Sequence, residues 1–332
     1  MPNDVRMPEC EQLVTVSCPA SHRNATSLPC AAAHDPSRAQ GSEALTAADR
    51  APLMHLRCAM PRTATPSCDA QPMSDILSKS FDAHTGDGVL LLIPTYNERE
   101  NLPRLVDAIR ERLPLVQILV IDDNSPDGTG ELADTIASRD ERVRVLHRTK
   151  KEGLAAAYLA GFRSALASDA AVVFQMDADF SHDPRYLTPM LEGLLEADVC
   201  VGSRYVPGGG TAHWAWHRRW LSKGGGIYAR TLLGIDVQDP TAGFVAFRRG
   251  ALAHLVSQPI HANGYAFQIE VKARLIRAGF RLVEIPIVFP DRTRGQSKMT
   301  VDIAKEAVWQ VLRLRRELGA PTAASPRTHE PD

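Results

Sequence analysis

From Gly88 onward the chain repeats one unit: a short apolar run, a polar turn, then apolar residues spaced three and four apart. That alternation constrains the fold more than any other feature, because strands linked by single helices pair in parallel with right-handed crossovers. Gly88-Val89-Leu90-Leu91-Leu92-Ile93 reads as the first strand, stopped at Pro94, and Leu102, Leu105, Val106, Ile109 and Leu113 then recur at helical spacing across residues 97–113. Residues 116–121 form a second strand ending in Asp122-Asp123, and Asn124-Ser125-Pro126-Asp127-Gly128 turns into a helix over 131–138. A strand at 143–146, an Ala-rich helix at 153–167, a strand at 170–176, a helix at 184–196 and a strand at 198–202 complete a βαβαβαβαβ series. The fold class is α/β: a doubly wound, mostly parallel sheet covered on both faces.

The domain so defined runs from 87 to 318. Residues 1–86 are rich in Pro, Ala, Ser, Thr and His without either period, as in an unpacked low-complexity extension, and 319–332 read as a tail. Met73, just upstream of the ordered pattern, is a candidate alternative start. The net charge of −1 gives no polybasic stretch that calls for nucleic acid. Five of the six cysteines precede the first strand without a CxxC pair, and Cys200 lies in an apolar run, so reduced thiols and a cytoplasmic setting are expected. No stretch reaches the roughly 18 apolar residues of a membrane span, and the start lacks a signal-peptide pattern.

The chemistry gathers where the strands end, since open α/β sheets bind ligands beyond the carboxyl ends of their strands. Neither GxGxxG nor GxxxxGK[ST] is present, which excludes the usual dinucleotide and P-loop designs. The strand ends instead carry Tyr96, Glu98, Asp122, Asp123, Asp177 and Asp179. An acidic pair such as Asp177 and Asp179 suits a hard divalent cation, which keeps one or two protein carboxylates and leaves room for water and phosphate. An acidic rim repels phosphates unless cations intervene. Arg204 after the fifth strand, and Arg292, Arg294 and Lys298 in a later turn-rich segment, supply them. Trp214, Trp216 and Trp220 beside Arg218, Arg219 and Lys223 read as a loop that seats at a membrane surface, with packing under a loop as the alternative. Residues 301–318 form an amphipathic helix.

The ordered motifs Pro94-Thr95-Tyr96-Asn97-Glu98, Ile121 through Gly128, and Asp177-Ala178-Asp179-Phe180-Ser181-His182 together resemble the polyprenol-phosphate (dolichol-phosphate) mannose synthases, inverting GT-A glycosyltransferases of family two. The likeness continues through Gly202-Ser203-Arg204-Tyr205, residues 214–222, Asp239-Pro240-Thr241-Ala242-Gly243-Phe244, Phe267-Gln268-Ile269-Glu270, and Arg292 with Gly295-Gln296-Ser297-Lys298. It implies transfer of mannose from GDP-mannose to a polyprenyl monophosphate, by a protein held peripherally at the cytoplasmic face of a membrane. By the same resemblance Pro94, Tyr96, Glu98, Ile121 and Asp123 surround the nucleotide, Asp177 and Asp179 hold Mg²⁺ or Mn²⁺, and the backbone at Ala178 lies beside the donor. Arg292 and Lys298 would meet the diphosphate, and Arg204, Arg218 and Ser222 the acceptor phosphate. Archaeal relatives can carry Gln where this chain has Ser181, so a metal contact at Ser181 is expected through a water.

The motifs leave open a polyprenyl-phosphate glucosyltransferase or another sugar transferase of the family. A non-catalytic nucleotide-sugar-binding subunit that recruits a membrane partner is the alternative of another class, and Asp177, Asp179, Arg292 and Lys298 speak against it. Related actinobacterial systems suggest a membrane-embedded partner protein. Asp239 and Glu270 are candidates for a supporting acidic role or for hydrogen-bond acceptors that stabilise the fold.

Overall fold

The computed structural model describes residues 80–212, 216–290 and 301–319, without the side chains at 217–218, 265 and 301–307. Trp214, Arg292, Arg294, Lys298, residues 1–79 and residues 320–332 fall outside the described residues, as does the side chain of Arg218. Phe81 and Ala83 pack against the core, so the folded unit includes residues before the expected boundary at 87.

Strand β1 (Val89–Thr95) alternates its side chains between two cores. Leu91 and Ile93 join one with helix α1 (Leu102–Arg112), and Leu90 and Leu92 join the other. This is why the run is apolar throughout: a central parallel strand buries both faces. β2 (Gln117–Asp122) pairs with β1 and with β3 (Val143–His147), and β4 (Val172–Gln175) pairs with β1, all in parallel. Helices α2 (Thr129–Ala137) and α3 (Leu154–Leu166) connect these strands. Against α3 the packing leaves no slack: a Cβ at Gly161 would lie 2.6 Å from Ile121 Cδ1 and 3.0 Å from Leu92 Cδ1.

The segment expected to be one helix over 184–196 is a 3₁₀ turn, Pro184–Tyr186, followed by a shorter helix α4 (Leu187–Gly193). Pro189 has no N–H to give to the carbonyl of Arg185, so the α-helical ladder cannot include that bond. After β5 (Val199–Ser203) come a two-residue β6 (Gly210–Thr211), helix α5 (Trp216–Leu233) and β7 (Val245–Arg248). The chain continues through α6 (Arg249–Val256), α7 (Gly264–Arg277), β8 (Leu282–Pro286), β9 (Val288–Phe289) and α8 (Val301–Leu318).

The large sheet runs β3-β2-β1-β4-β7-β5-β8, while β6 and β9 form a small second sheet. β7 lies antiparallel between β4 and β5, so the sheet is mostly rather than wholly parallel. The reversal brings the chain just before β7, Asp239–Phe244, to the edge where the parallel strands end. The Trp-rich segment also departs from expectation, since residues 216–233 form a helix and not a loop. Its Gly224-Gly225-Gly226 run reads as a breaker, yet Ala229 and Leu233 pack with Ile269 and Ala273 of α7 and Val311 and Leu314 of α8. Burial of that stripe outweighs a propensity cost of about 1 kcal/mol per glycine.

Candidate active site

The ends of the five parallel strands β1 to β5 and the start of β7 build the site. The turns after β1 and β2 are laced together: Asn97 N–H donates to Ser125 Oγ (3.2 Å), Glu98 N–H to Thr129 Oγ1 (3.0 Å) and Asp123 N–H to Thr95 O (3.1 Å). Asn97 and Asn124 take left-handed backbone, φ 63° and 58°, which asparagine tolerates better than most residues. Asp122 accepts from Thr95 Oγ1 (3.2 Å), Ser125 Oγ (2.6 Å) and Ser125 N–H (3.0 Å), so it serves to fix the turn.

Asp123 is buried and pairs with Arg148, which also donates to Glu152 Oε2 (2.8 Å). Burial pushes the Asp123 carboxyl above its ordinary pKa, and the adjacent Arg148 only partly offsets this. Lys151 Nζ stands 3.4 Å from the centre of the half-exposed Tyr96 ring. The basic groups that share the acidic rim thus include Arg148 and Lys151, which reasoning from sequence missed. Their signal was the run Arg148-Thr149-Lys150-Lys151 directly after β3. Glu98 accepts from Asn101 Nδ2 (2.8 Å). The Ile121 side chain is wholly in the core, so only its backbone can face a ligand, and Pro94 is paired in register with it.

Asp177 and Asp179 follow β4, partly buried, with Ala178 between them in the core. Asp177 N–H donates to His182 Nδ1 (2.9 Å), and the hydroxyl of the fully buried Tyr158 donates to Asp177 Oδ1 (3.1 Å). Asp179 Oδ1 accepts from Ser181 N–H (3.0 Å), a closure that holds Phe180 at φ 59°. A left-handed aromatic residue costs on the order of 1 kcal/mol or more and is characteristic of ligand-binding turns. The Ser181 hydroxyl is buried without a hydrogen-bond partner among the described residues. Two carboxylates and an orphaned hydroxyl make an all-oxygen donor set of the kind that suits Mg²⁺ or Mn²⁺ completed by water and phosphate. No group of three His, Cys, Asp or Glu able to hold a metal occurs among the described residues.

Beyond β5, Arg204 is clamped by Asp239: Nε donates to Oδ2 (2.7 Å), Nη2 to Oδ1 (2.7 Å) and the Arg204 amide to Oδ2 (3.1 Å). Nη2 also reaches Thr241 Oγ1 (2.8 Å). Glu284 accepts from the amides of Gln238 (2.7 Å) and Asp239 (2.9 Å), and the buried Lys272 Nζ donates to the carbonyl of Ala242 (2.7 Å). Burial raises the proton affinity of Asp239, but Arg204 more than reverses this and holds the carboxyl below its usual value. Burial likewise pulls Lys272 down to about 7, against the opposing pull of Asp239 and Glu284. Asp239 is therefore the acceptor that fixes Arg204, while Glu270 accepts from Ala262 N–H (2.8 Å) and pairs with Arg274, a fold-stabilising role.

Arg204 contributes to the wall of a cavity of about 380 Å³, together with Tyr205, Trp216, Arg219, Trp220 and Lys223. Ser222 Oγ accepts from Tyr205 O–H (2.8 Å) at its side. Phe289 lies 5.9 Å from the ring of His182, which accepts the Asp177 amide, and 5.5 Å from Arg204 Cζ in the cavity wall, so the cavity and the acidic pair are linked through these two rings. Sequence reasoning picked Arg218 and Ser222 on this helix for the acceptor phosphate and gave Arg219 and Lys223 to the membrane-surface segment alone.

A mostly parallel sheet thus carries paired carboxylates at one strand end and a cation-lined cavity beyond another, an arrangement consistent with a GT-A fold. Residues 91–256 match the family described as Glycosyl transferase family 2, and the chain belongs to it. It is 49% identical over 224 residues to a polyprenol monophosphomannose synthase of Mycolicibacterium smegmatis, which covers 67% of this chain and 84% of that protein. It is 46% identical over 225 residues to an undecaprenyl-phosphate mannosyltransferase of Micrococcus luteus, covering 68% and 93%. A dolichol-phosphate mannosyltransferase of Pyrococcus furiosus is 37% identical over 69% of this chain and 64% of its own length. The fold is also similar to that of glucosyl-3-phosphoglycerate synthase from Mycobacterium tuberculosis, solved with Mn²⁺, UDP and phosphoglyceric acid, at a TM-score of 0.50 and 19% identity over 74% of this chain and 85% of that one.

Proposed function

We propose that this chain transfers a mannosyl group from GDP-mannose to a polyprenyl monophosphate at a membrane surface, giving polyprenyl-phosphate β-mannose and GDP. The observation that carries the reading is the junction at Phe289 between a carboxylate pair fit for a cation and a cavity lined by Arg204, Arg219 and Lys223. The relatives' names, all polyprenyl-type phosphate mannosyltransferases or synthases, support the sugar and the lipid.

Asp177 and Asp179 would hold a divalent cation, Mg²⁺ or Mn²⁺, and Ser181 would serve it through a water. When bound, the cation supplies positive charge to the departing diphosphate. Tyr96, Glu98, Asp123, Pro94 and the backbones at Ile121 and Ala178 surround the nucleotide, and Arg292 and Lys298 approach its diphosphate. Arg204, Arg218, Ser222, Arg219 and Lys223 receive the acceptor phosphate. A phosphomonoester with a second pKa of about 6 is already anionic near neutral pH. Its oxygen therefore attacks C1 without a dedicated base; the new C1–O bond forms as the bond to the diphosphate breaks and its electron pair leaves on GDP. A single displacement inverts the anomeric centre, and what the protein contributes is alignment and charge.

Membrane contact follows from the surface. Trp216 and Trp220, 74% and 71% exposed, stand with Leu221 and Ile227 on α5, and Trp309 is exposed on α8. Arg219 and Lys223 lie among them. Indole rings favour the headgroup region and the cations favour anionic lipids. No helix of the described residues is long and apolar enough to cross a membrane. In this reading the chain attaches peripherally through the Trp-rich face, on the cytoplasmic side, with a membrane-embedded partner protein as a further anchor.

The deciding experiment offers purified protein GDP-mannose or UDP-glucose with a short polyprenyl phosphate and measures lipid-linked sugar. Transfer from GDP-mannose is expected. Transfer from UDP-glucose alone defeats the mannose assignment, and binding of either donor without transfer would mark a non-catalytic subunit.

A further inference from the structure

Three aromatic rings stack between α3 and α7. Tyr158 lies 6.2 Å from Phe162 and 6.3 Å from Phe267, centre to centre, and all three side chains are fully buried. Two of the three positions are phenylalanine; only the ring whose para position meets the end of β4 carries a hydroxyl. That hydroxyl donates to Asp177 Oδ1 at 3.1 Å. Packing alone does not ask for it, because burying a phenol without a partner costs about 1–3 kcal/mol and phenylalanine fills the same space. On the other side the His182 ring accepts the Asp177 amide and stacks on Phe244 at 4.8 Å, which fixes the backbone of the same residue.

We propose that Tyr158 is a positioning residue for the metal site: by donating to Asp177 Oδ1 it holds the carboxylate rotamer in which Asp177 and Asp179 would take a cation. The inference rests on the reading of Asp177 and Asp179 as metal ligands. Without the hydroxyl, Asp177 keeps its backbone anchor at His182 but gains side-chain freedom that cation binding must then remove. Outer partners of this kind typically cost about 10-fold to 100-fold in metal affinity when lost.

The test compares full-length wild type, Tyr158→Phe and the double variant Asp177→Ala/Asp179→Ala. Mn²⁺ binding in the presence of GDP is followed by the EPR signal of free Mn²⁺, corrected with a protein-free GDP blank. Thermal midpoints are recorded alongside. Tyr158→Phe is expected to weaken Mn²⁺ binding about ten-fold, with its midpoint near wild type. In turnover assays it should shift the Mn²⁺ half-saturation by the same factor while kcat returns at saturating Mn²⁺, a split that a merely structural role would not produce. If Tyr158→Phe fails to fold, Tyr158→Met, which fills the space without a donor, is read the same way. Equal Mn²⁺ affinity in wild type and the Tyr158 variant overturns the positioning role while leaving the metal ligands intact. Wild-type binding no tighter than that of the double variant overturns both.

Discussion

Asp239→Ala is the substitution whose cost can be worked most fully from the structure. Asp239 is fully buried and the Arg204 side chain is 8% exposed, with two guanidinium bonds of 2.7 Å and an amide bond of 3.1 Å converging on one carboxylate. Removing one partner of such a pair leaves a buried charge uncompensated, which costs about 3–5 kcal/mol. At about 2–4 °C per kcal/mol for a domain of this size, the thermal midpoint should fall by roughly 6–20 °C. Urea unfolding followed by circular dichroism measures the loss directly. The clamp also holds Arg204 against the wall of the cation-lined cavity, so below the new midpoint the KM for polyprenyl phosphate should rise more than the KM for the nucleotide sugar. Replacing both partners, Arg204→Met with Asp239→Leu, should recover much of the stability but not the lipid affinity. A cost below about 1 kcal/mol for Asp239→Ala would refute the reasoning, since only a solvent-screened ion pair costs so little.

Lys272 gives a pH signature. Its folded pKa, pulled down to about 7 by burial, lies below its unfolded value of 10.5. Between these pH values the unfolded chain binds the extra proton, so the contribution to stability is complete above 10.5 and is lost as pH falls through about 7. Lys272→Met should lower the slope of stability against pH in that window by up to about 1.4 kcal/mol per pH unit, and an unchanged slope would contradict a buried titrating amine. Arg219→Ala with Lys223→Ala should raise the KM for polyprenyl phosphate about 30-fold, from two charge-assisted contacts worth on the order of 1 kcal/mol each at an open cavity; equal KM values for lipid would remove both residues from the site. Trp216→Ala with Trp220→Ala should weaken co-sedimentation with anionic phospholipid vesicles at least ten-fold, because each buried aromatic contributes roughly 1.5–3 kcal/mol.

Apart from the helix expected over 184–196, the strands and helices from 88 to 202 were legible because each is a short-range pattern: apolar runs at β1, β2 and β4 buried on both faces, and a helical stripe at Leu102, Leu105, Val106 and Ile109. β7 was not legible as a strand. It has four residues, and its antiparallel place between β4 and β5 is set by non-local pairing. The helix at Trp216–Leu233 was hidden by its glycine run, because what stabilises it is a stripe seated on two other helices. At the site, the acidic pair stood out as a motif on one strand end. Tyr158, His182, Lys272 and the clamp between Arg204 and Asp239 did not, since each acts on a residue 5 to 35 positions away through contacts that only the folded sheet creates.

The central claim is that a cation on Asp177 and Asp179 lets a nucleotide leave while a lipid-borne phosphate attacks. Its most direct measurement is the rate at which radiolabelled mannose passes from GDP-mannose into polyprenyl phosphate before chelation, after exhaustive chelation and after readdition of Mn²⁺, in wild type and Asp179→Ala. The account predicts loss on chelation, recovery on readdition in wild type only, and no transfer by the variant. An undiminished rate in the metal-free enzyme, or in Asp179→Ala, would contradict it.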